Sequence, residues 1–143
     1  MAAEKKSVGY RIAKLHRIYL AFVKAKIEYL DIQPGHLPLL VHLLDNESPL
    51  TQEALAKLVF IDKSVAARGI AQLEKKGYLH RSPNPGDLRQ NLVVPTPKAL
   101  AIKDRLFSSL LETSERLLAP LSPEEQATAL ALLDKMLCSA LDE

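Results

Sequence analysis

Apolar positions at the start of the chain predict two helices. Between residues 8 and 30 they recur at spacings of three and four, the pattern of an amphipathic helix. Pro34 and Gly35 mark the end of that helix. A leucine-rich segment then predicts a second helix over residues 36–45, followed by a short loop.

The C-terminal third predicts two further amphipathic helices. Thr96 followed by Pro97 is an N-cap with proline at the first helical position, and the helix continues to about Leu118. Pro120 interrupts it. The segment Ser122-Pro123-Glu124-Glu125 is a capping box, and it opens a last helix that runs to about Leu141.

The middle of the chain predicts two short helices with a tight connection. Thr51 is a good N-cap for a helix over residues 52–58. Asp62 can cap a helix over residues 63–76, and Gly77 stands where a left-handed C-terminal residue belongs. Two such helices in this order are typical of a helix-turn-helix.

The second of these helices has two predicted faces. Val65, Ile70 and Leu73 are expected to face the core. The residues expected to point outward near its N-terminus, where a DNA-reading helix presents side chains to base edges, are Lys63, Ser64, Ala67 and Arg68.

Two strands and a polar loop follow the second helix. Residues 78–81 predict a short strand, and residues 82–91 predict a loop rich in Pro, Gly, Asn and Asp. Residues 92–94 predict the returning strand, which Pro95 makes a short or edge strand. The whole pattern therefore predicts a mainly α protein with a small β-hairpin wing beside a helix-turn-helix.

The charge distribution adds a polyanion site to this picture. The net charge is only +2, but residues 57–105 carry ten basic against four acidic side chains. Residues 106–143 carry two basic against seven acidic ones. A basic middle that coincides with a helix-turn-helix indicates DNA as the partner.

The terminal helices have apolar stripes that one small winged lobe cannot cover. Such stripes need a partner. A two-fold homodimer built from both chain ends is the simplest solution, and it would space two DNA-reading helices by one DNA turn, about 34 Å. We therefore expect N- and C-terminal dimerisation helices to flank the winged helix-turn-helix.

Other classes of site have little support. The chain lacks paired Cys/His spacing for a metal, and it lacks a P-loop, a dinucleotide-binding turn and a nucleophile elbow, so we expect no metal, no cofactor and no enzyme activity. Neither a membrane helix nor a signal peptide is predicted, which places the protein in the cytoplasm. Cys138 is either a buried structural thiol, the favoured interpretation, or a redox sensor.

Specific residues resemble the MarR (multiple antibiotic resistance regulator) family of winged helix-turn-helix transcription factors. The resemblance covers about residues 8–141, and Thr96 opens the long fifth helix as in that family. Ala66 and Ala67 depart from the family, which often has hydroxyl residues there. The segments that carry the resemblance are Leu50-Thr51-Gln52-Glu53-x-Leu55-Ala56, Asp62-Lys63-Ser64 with Arg68, Leu73-Glu74-Lys75-Lys76-Gly77 and Asp87-x-Arg89.

The resemblance implies a single domain over residues 1–143. Within it, residues 36–96 form the DNA-binding lobe, and residues 7–31 and 97–142 form the dimerisation helices. It also implies a homodimer that binds a pseudo-palindromic operator on double-stranded DNA, usually as a repressor. A small phenolic or aromatic ligand is expected to release the DNA.

Candidate DNA contacts lie on the wing and beside it. An arginine at the wing tip, Arg89, can enter the narrow minor groove. Asp87 either braces Arg89 or pairs back to the body of the protein. Arg81 is a candidate for backbone contact, and Thr51 is chiefly a cap whose neighbouring N–H groups can hold a phosphate.

A ligand pocket is implied where the first two helices meet the fifth, as in the resembled family. The residues that can supply it with an aromatic wall, donors and a cation are His16, Arg17, Tyr19 and His36. Two alternative functions remain at this point. The winged helix can act as a protein–protein adaptor, or it can be a redox- or metal-responsive regulator on the same frame.

Overall fold

The computed structural model describes residues 6–141. The described part is mainly helical with one small antiparallel sheet of three strands, which confirms the predicted fold class. The helices are α1 (Val8–Lys26), α2 (Leu37–Asp45), α3 (Gln52–Val59), α4 (Lys63–Lys75), α5 (Pro97–Leu118) and α6 (Pro123–Leu141). The strands are β1 (Leu50–Thr51), β2 (Leu79–Asn84) and β3 (Asp87–Pro95).

The first helix ends earlier than the apolar spacing predicted. After α1 ends at Lys26, residues Glu28–Leu30 form a 3-10 turn, and Asp31 adopts a left-handed backbone with φ of 54°. Two long-range bonds hold this turn: the Tyr78 hydroxyl donates to the Leu30 carbonyl at 2.7 Å, and Lys76 Nζ donates to Asp31 Oδ2 at 2.8 Å. The helix is therefore interrupted by contacts with the end of α4, which sequence spacing does not reveal.

The caps of the helix-turn-helix form as predicted. The Ala54 N–H donates to Thr51 Oγ1 at 3.0 Å, which starts α3, and the Ser64 N–H donates to Asp62 Oδ2 at 3.2 Å, which starts α4. Gly77 follows the end of α4 with φ of +85°, a conformation that glycine adopts without steric cost. These signals are local, so the sequence is sufficient to place them.

The inward face of α4 differs by one residue from the prediction. Ala66 is buried, whereas Val65, expected in the core, is 45% exposed. Ala66, Gly69, Ile70 and Leu73 share a stripe at spacings of three, one and three, and all four are buried. Val65 lies about 100° away from Ala66 around the helix axis, so its side chain points to solvent instead.

The wing is a longer hairpin than predicted. Strands β2 and β3 pair antiparallel from Leu79–Pro95 to Asn84–Asp87, so most of the expected loop is strand and only residues 85 and 86 remain between the strands. The Gly86 N–H donates to Asn84 Oδ1 at 3.0 Å and closes the turn. Cross-strand pairing outweighs the turn-rich composition of this segment.

Strand β3 lies in the centre of the sheet, so the expectation of an edge strand was wrong. The order is β1-β3-β2, and the two residues of β1 pair with Val93 and Leu92. Pro95 is tolerated because β1 reaches only those two residues and leaves the far side of Pro95 unpaired.

Internal contacts divide the chain into a first unit that ends at Leu110 and a second that begins at Leu111, inside α5. The core of the first unit is a single cluster of apolar side chains from α1 to α5, most of them aliphatic and many of them leucines of α2. It includes Leu55 of α3, Ile70 of α4 and Val93 of β3, so the helix-turn-helix and the wing share one core.

The second unit contains the end of α5, a turn and α6. The capping box forms as predicted: the Ser122 N–H donates to Glu125 Oε1 at 2.9 Å, and the Glu125 N–H donates to Ser122 Oγ at 3.2 Å. Apolar side chains of α6 are exposed along its length, namely Leu130, Leu132, Leu133, Met136, Leu137 and Leu141. Across residues 6–141, none of the helices has the length and apolar character that crossing a membrane requires.

Candidate nucleic-acid interface

An open groove of about 370 Å³ lies between the wing and the N-terminal ends of α3 and α4. It gathers five of the eight residues that the sequence singled out for DNA contact, from three separate elements. The lining residues are Thr51, Gln52, Glu53, Lys63, Ser64, Ala67, Arg89, Gln90 and Asn91. We call this space the interface groove.

Arg89 is held at the mouth of the groove by its neighbour Asp87. The Arg89 backbone N–H and its Nε both donate to Asp87 Oδ1, at 3.0 and 3.2 Å. The Arg89 side chain is still 92% exposed. Two roles were predicted for Asp87, and the structure shows the one in which its carboxylate braces Arg89. The bracing leaves the terminal nitrogens of the guanidinium directed at solvent, where a phosphate or a base edge can meet them.

Lys63 is paired with a carboxylate that the sequence did not single out. Its Nζ lies 3.0 Å from Glu53 Oε1, so the first residues of α3 and α4 are joined across the groove. The hydrogen bond and the positive charge of Lys63 hold the pKa of Glu53 below its usual value. Both side chains are exposed, and the pair can exchange for a phosphate.

Ser64 presents an acceptor to the groove. Its hydroxyl donates to Asp62 Oδ2, the same oxygen that accepts from the Ser64 backbone N–H. These two hydrogen bonds lower the pKa of Asp62. Because the hydroxyl proton is used within the cap, Ser64 offers lone pairs to a ligand, and donating to a DNA phosphate would require breaking the bond to Asp62.

Arg81 joins β2 to α4, and its Nη1 also donates to Oε1 of Gln52, which lines the interface groove, at 3.5 Å. Its Nη2 lies 2.8 Å from Glu74 Oε1, and its backbone N–H donates to Glu74 Oε2 at 2.8 Å. These bonds hold the pKa of Glu74 below its usual value. In contrast, Arg68 is exposed on α4 and forms no salt bridge with residues 6–141. Arg68 therefore remains the stronger candidate for a DNA contact.

A separate cavity of about 400 Å³ lies where α1 meets the segment around α2. Two of the four predicted pocket residues, His16 and Tyr19, line it, and Arg17 does not. His36 lines a different cavity, beside Lys76, because its ring packs against Gly69 of α4. The cavity's lining residues are His16, Tyr19, Leu20, Pro34, Gly35, Leu37, Pro38, Val41, His42 and Leu110.

Polar groups in this cavity are few and defined. Burial raises the pKa of the Tyr19 phenol, so the group stays protonated at neutral pH. His42 Nδ1 lies 2.8 Å from the Pro38 carbonyl, which can only accept, so Nδ1 carries the proton. Sequence spacing did not single out His42, although its position one helical turn after Pro38 was a usable signal.

Metal ligands and the single thiol were the other candidates for chemistry that the sequence raised. Within residues 6–141, no group of three or more His, Cys, Asp or Glu side chains could hold a metal ion. Cys138 is exposed on α6 of the single chain, so the expected burial of this thiol would require a partner that covers the same face. The apolar face that was expected to bury it is itself exposed.

Comparison with known proteins supports the geometric interpretation. A MarR family model matches residues 30–90, from the end of the α1 region through the helix-turn-helix into the wing. A MarR transcriptional regulator from Methanosarcina mazei Go1 has a TM-score of 0.88 and 27% identity over 94% of this chain and 96% of its own. The chain is therefore similar to MarR family regulators in its helix-turn-helix and wing sequence and in its fold. The proteins that it resembles over most of their length are transcriptional regulators.

Other relatives extend the comparison. The regulator YybA of Bacillus subtilis (strain 168), an HTH-type transcriptional regulator, is 29% identical over 107 residues, 75% of this chain and 71% of its own. A MarR family regulator from Listeria monocytogenes, solved with a 26mer DNA, has a TM-score of 0.86 and 22% identity over 96% of this chain and 91% of its own. The Bordetella bronchiseptica regulator BpsR, whose DNA binding is regulated by 6-hydroxynicotinic acid, has a TM-score of 0.81 and 21% identity over 92% of this chain and 93% of its own.

Proposed function

We propose that the protein is a MarR family transcriptional regulator that binds a specific pseudo-palindromic operator as a homodimer and represses transcription from it. The observation that carries the proposal is the interface groove, in which the wing Arg89 and the N-terminal turn of α4 face one space. In this arrangement α4 enters the major groove while Arg89 enters the adjacent minor groove, where the negative potential is strongest.

Exposed apolar side chains favour the homodimer. Val8, Ile12, Leu15 and Ile18 are exposed on α1, as are the six large apolar residues of α6. Contiguous apolar faces of this kind are uncommon on monomers. In a two-fold dimer, the apolar faces of one copy pack against the same faces of the other. The symmetry of such a dimer matches a palindromic operator. Because the ligand is chromosomal DNA, we expect the regulator to act in the cytoplasm.

The decisive experiment is selection of binding sites from a random duplex library, followed by affinity measurements at several salt concentrations. We expect a palindrome with half-sites about one DNA turn apart, and affinity that falls steeply with salt. The Arg89→Ala variant should bind the selected operator more than tenfold more weakly and stay dimeric. Lys24→Ala, which removes a positive charge from the last turn of α1, is the matched control and should bind nearly as well as the wild type.

Other outcomes of this experiment would contradict the proposal. An unchanged operator affinity in folded Arg89→Ala would contradict the proposed contact between Arg89 and DNA. If sedimentation equilibrium showed that the wild type is a monomer, the proposed binding of a homodimer to a palindromic operator would be contradicted. Failure to enrich any sequence would favour the alternative of a winged-helix adaptor that binds protein.

The cavity beside α1 supports a second part of the proposal, release of DNA by a small aromatic or phenolic acid. Its walls are largely aliphatic, and the Tyr19 hydroxyl and an imidazole N–H of His16 can donate to a carboxylate. BpsR is a family relative whose DNA binding responds to an aromatic acid. We expect 4-hydroxybenzoate, as a probe, to raise the Tm of the protein and weaken operator binding.

Filling the cavity tests the ligand role separately from DNA binding. Val41→Phe should abolish the effect of 4-hydroxybenzoate and retain operator affinity, because Val41 does not line the interface groove. Tyr19→Phe removes only the hydroxyl and should weaken the response. A full response in both variants would contradict binding at this site.

A further inference from the structure

The outward face of α4 is poor in polar groups, and this limits how it can read DNA. Ala66, Gly69, Ile70 and Leu73 are buried and cannot reach a base. The Ser64 hydroxyl donates its proton to Asp62 Oδ2, the N-cap carboxylate of α4. Besides the lysines at its two ends, α4 has three exposed side chains along one stripe at spacings of three and four: Val65, Arg68 and Gln72.

Each of the three side chains has a distinct preference among base edges. Two methyl groups of Val65 can contact only an apolar feature, and in the major groove that feature is the C5-methyl of thymine. The guanidinium of Arg68 matches O6 and N7 of guanine. The amide of Gln72 matches N6 and N7 of adenine.

Helix geometry places the three contacts close together on the DNA. Val65 and Gln72 are seven residues apart, which is about 10 Å along the helix axis. That distance equals about three base-pair steps of B-DNA. The three side chains can therefore be read within one short half-site.

We propose that Val65 is a specificity-determining residue that contacts a thymine methyl, in a half-site where Arg68 reads guanine and Gln72 reads adenine within about four base pairs. The inference rests on the proposed function, in which α4 lies in the major groove. Val65 is 45% exposed, and contact with a thymine methyl would remove part of this apolar surface from water, which is favourable.

The test uses synthetic operators in which single thymines are replaced by deoxyuracil, a change that removes only the C5-methyl. At one thymine of each half-site, we expect the wild type to lose about fourfold in affinity, the value of one buried methyl-sized group. Val65→Ala should bind the thymine operator more weakly and lose its sensitivity to uracil at that position. Leu100→Ala, which shortens an exposed side chain on α5, should retain the full sensitivity.

Companion variants test the neighbouring assignments. Arg68→Ala should relax the preference for guanine, and Gln72→Ala should relax the preference for adenine, each at one position and at least tenfold. Unfolding curves for all variants control for folding, which these exposed positions should leave intact.

The outcomes separate this inference from the proposed function. An enriched operator whose affinity is unchanged by uracil at every thymine would overturn the role of Val65 and keep the regulator. The same holds if Val65→Ala retains the wild-type response to uracil. Failure to enrich any operator would overturn both. A uracil effect that disappears in Val65→Ala alone would support the assignment.

Discussion

Glu53 and Lys63 join the first turns of α3 and α4 by a salt bridge of 3.0 Å at the edge of the interface groove. A lysine in this position has the right charge for a phosphate, but in the free protein its charge is already paired. DNA must therefore compete with Glu53 for Lys63. The Glu53 carboxylate therefore weakens DNA binding by a similar amount for every DNA sequence.

Replacing Glu53 should strengthen DNA binding. In Glu53→Gln, we expect a several-fold higher affinity at low salt and a plot of log affinity against log salt that is steeper by about one, because Lys63 becomes free to neutralise a phosphate. Fluorescence anisotropy between about 50 and 200 mM salt measures both quantities. Glu28→Gln removes the same charge from the 3-10 turn after α1 and is the control. A gain of equal size in the control, or in Glu53→Gln combined with Lys63→Ala, would contradict a local release of Lys63.

Gly69 should be required for the packing of α4. A Cβ at this position would lie 2.5 Å from Leu39 Cδ1 and 3.2 Å from His36 Cδ2. We expect Gly69→Ala to destabilise the protein by about 1–3 kcal/mol through overpacking, although alanine favours helix formation. Urea unfolding at one protein concentration measures the difference. A Cβ on Gly35 meets nothing within 4 Å, so Gly35→Ala should change the unfolding free energy little, and equal effects at both sites would count against a packing cause.

The Asp62 cap should make stability depend on pH at the acidic end. Its pKa is lowered in the folded protein, so its contribution is present above the ordinary value of 3.8 and is lost as the pH falls below it. Asp62→Ala should lower the Tm by a few degrees at pH 7. The difference from the wild type should shrink as the pH drops below about 4. A constant difference in Tm across the whole pH range would show that the carboxylate charge is not involved.

Replacing Arg81 by alanine should change mainly the Tm, whereas replacing Arg89 by alanine should change mainly the DNA affinity. Arg81→Ala removes the bonds to Glu74 and should lower the Tm while leaving the salt dependence of DNA binding nearly unchanged. Arg89→Ala should lower DNA affinity with little change in Tm, since that side chain is almost fully exposed. Calorimetry and anisotropy on the same preparations provide the comparison. If Arg81→Ala were as weak in DNA binding as Arg89→Ala, at unchanged Tm, Arg81 would contact DNA directly.

The exposure of Val65 and the burial of Ala66 show how a small phase error changes a functional prediction. The pattern of apolar residues placed Val65 in the core, yet Ala66 occupies that position. Sequence periodicity cannot decide between adjacent residues when both are apolar and the helix has only 13 residues. The packing of α4 on α2, where Gly69 admits Leu39 and His36, sets the phase.

The sequence by itself determined the order of helices α1 to α6 and the two wing strands, the caps at Thr51, Asp62 and Ser122, and the left-handed Gly77, because each depends on a few neighbouring residues. Only the tertiary structure decided that Lys63 pairs with Glu53, that Arg81 pairs with Glu74, and that His36 lies against α4 instead of beside Tyr19. The reason is geometric. A contact between elements depends on the angle and phase at which two elements pack, and those are set by the whole core and by no local pattern.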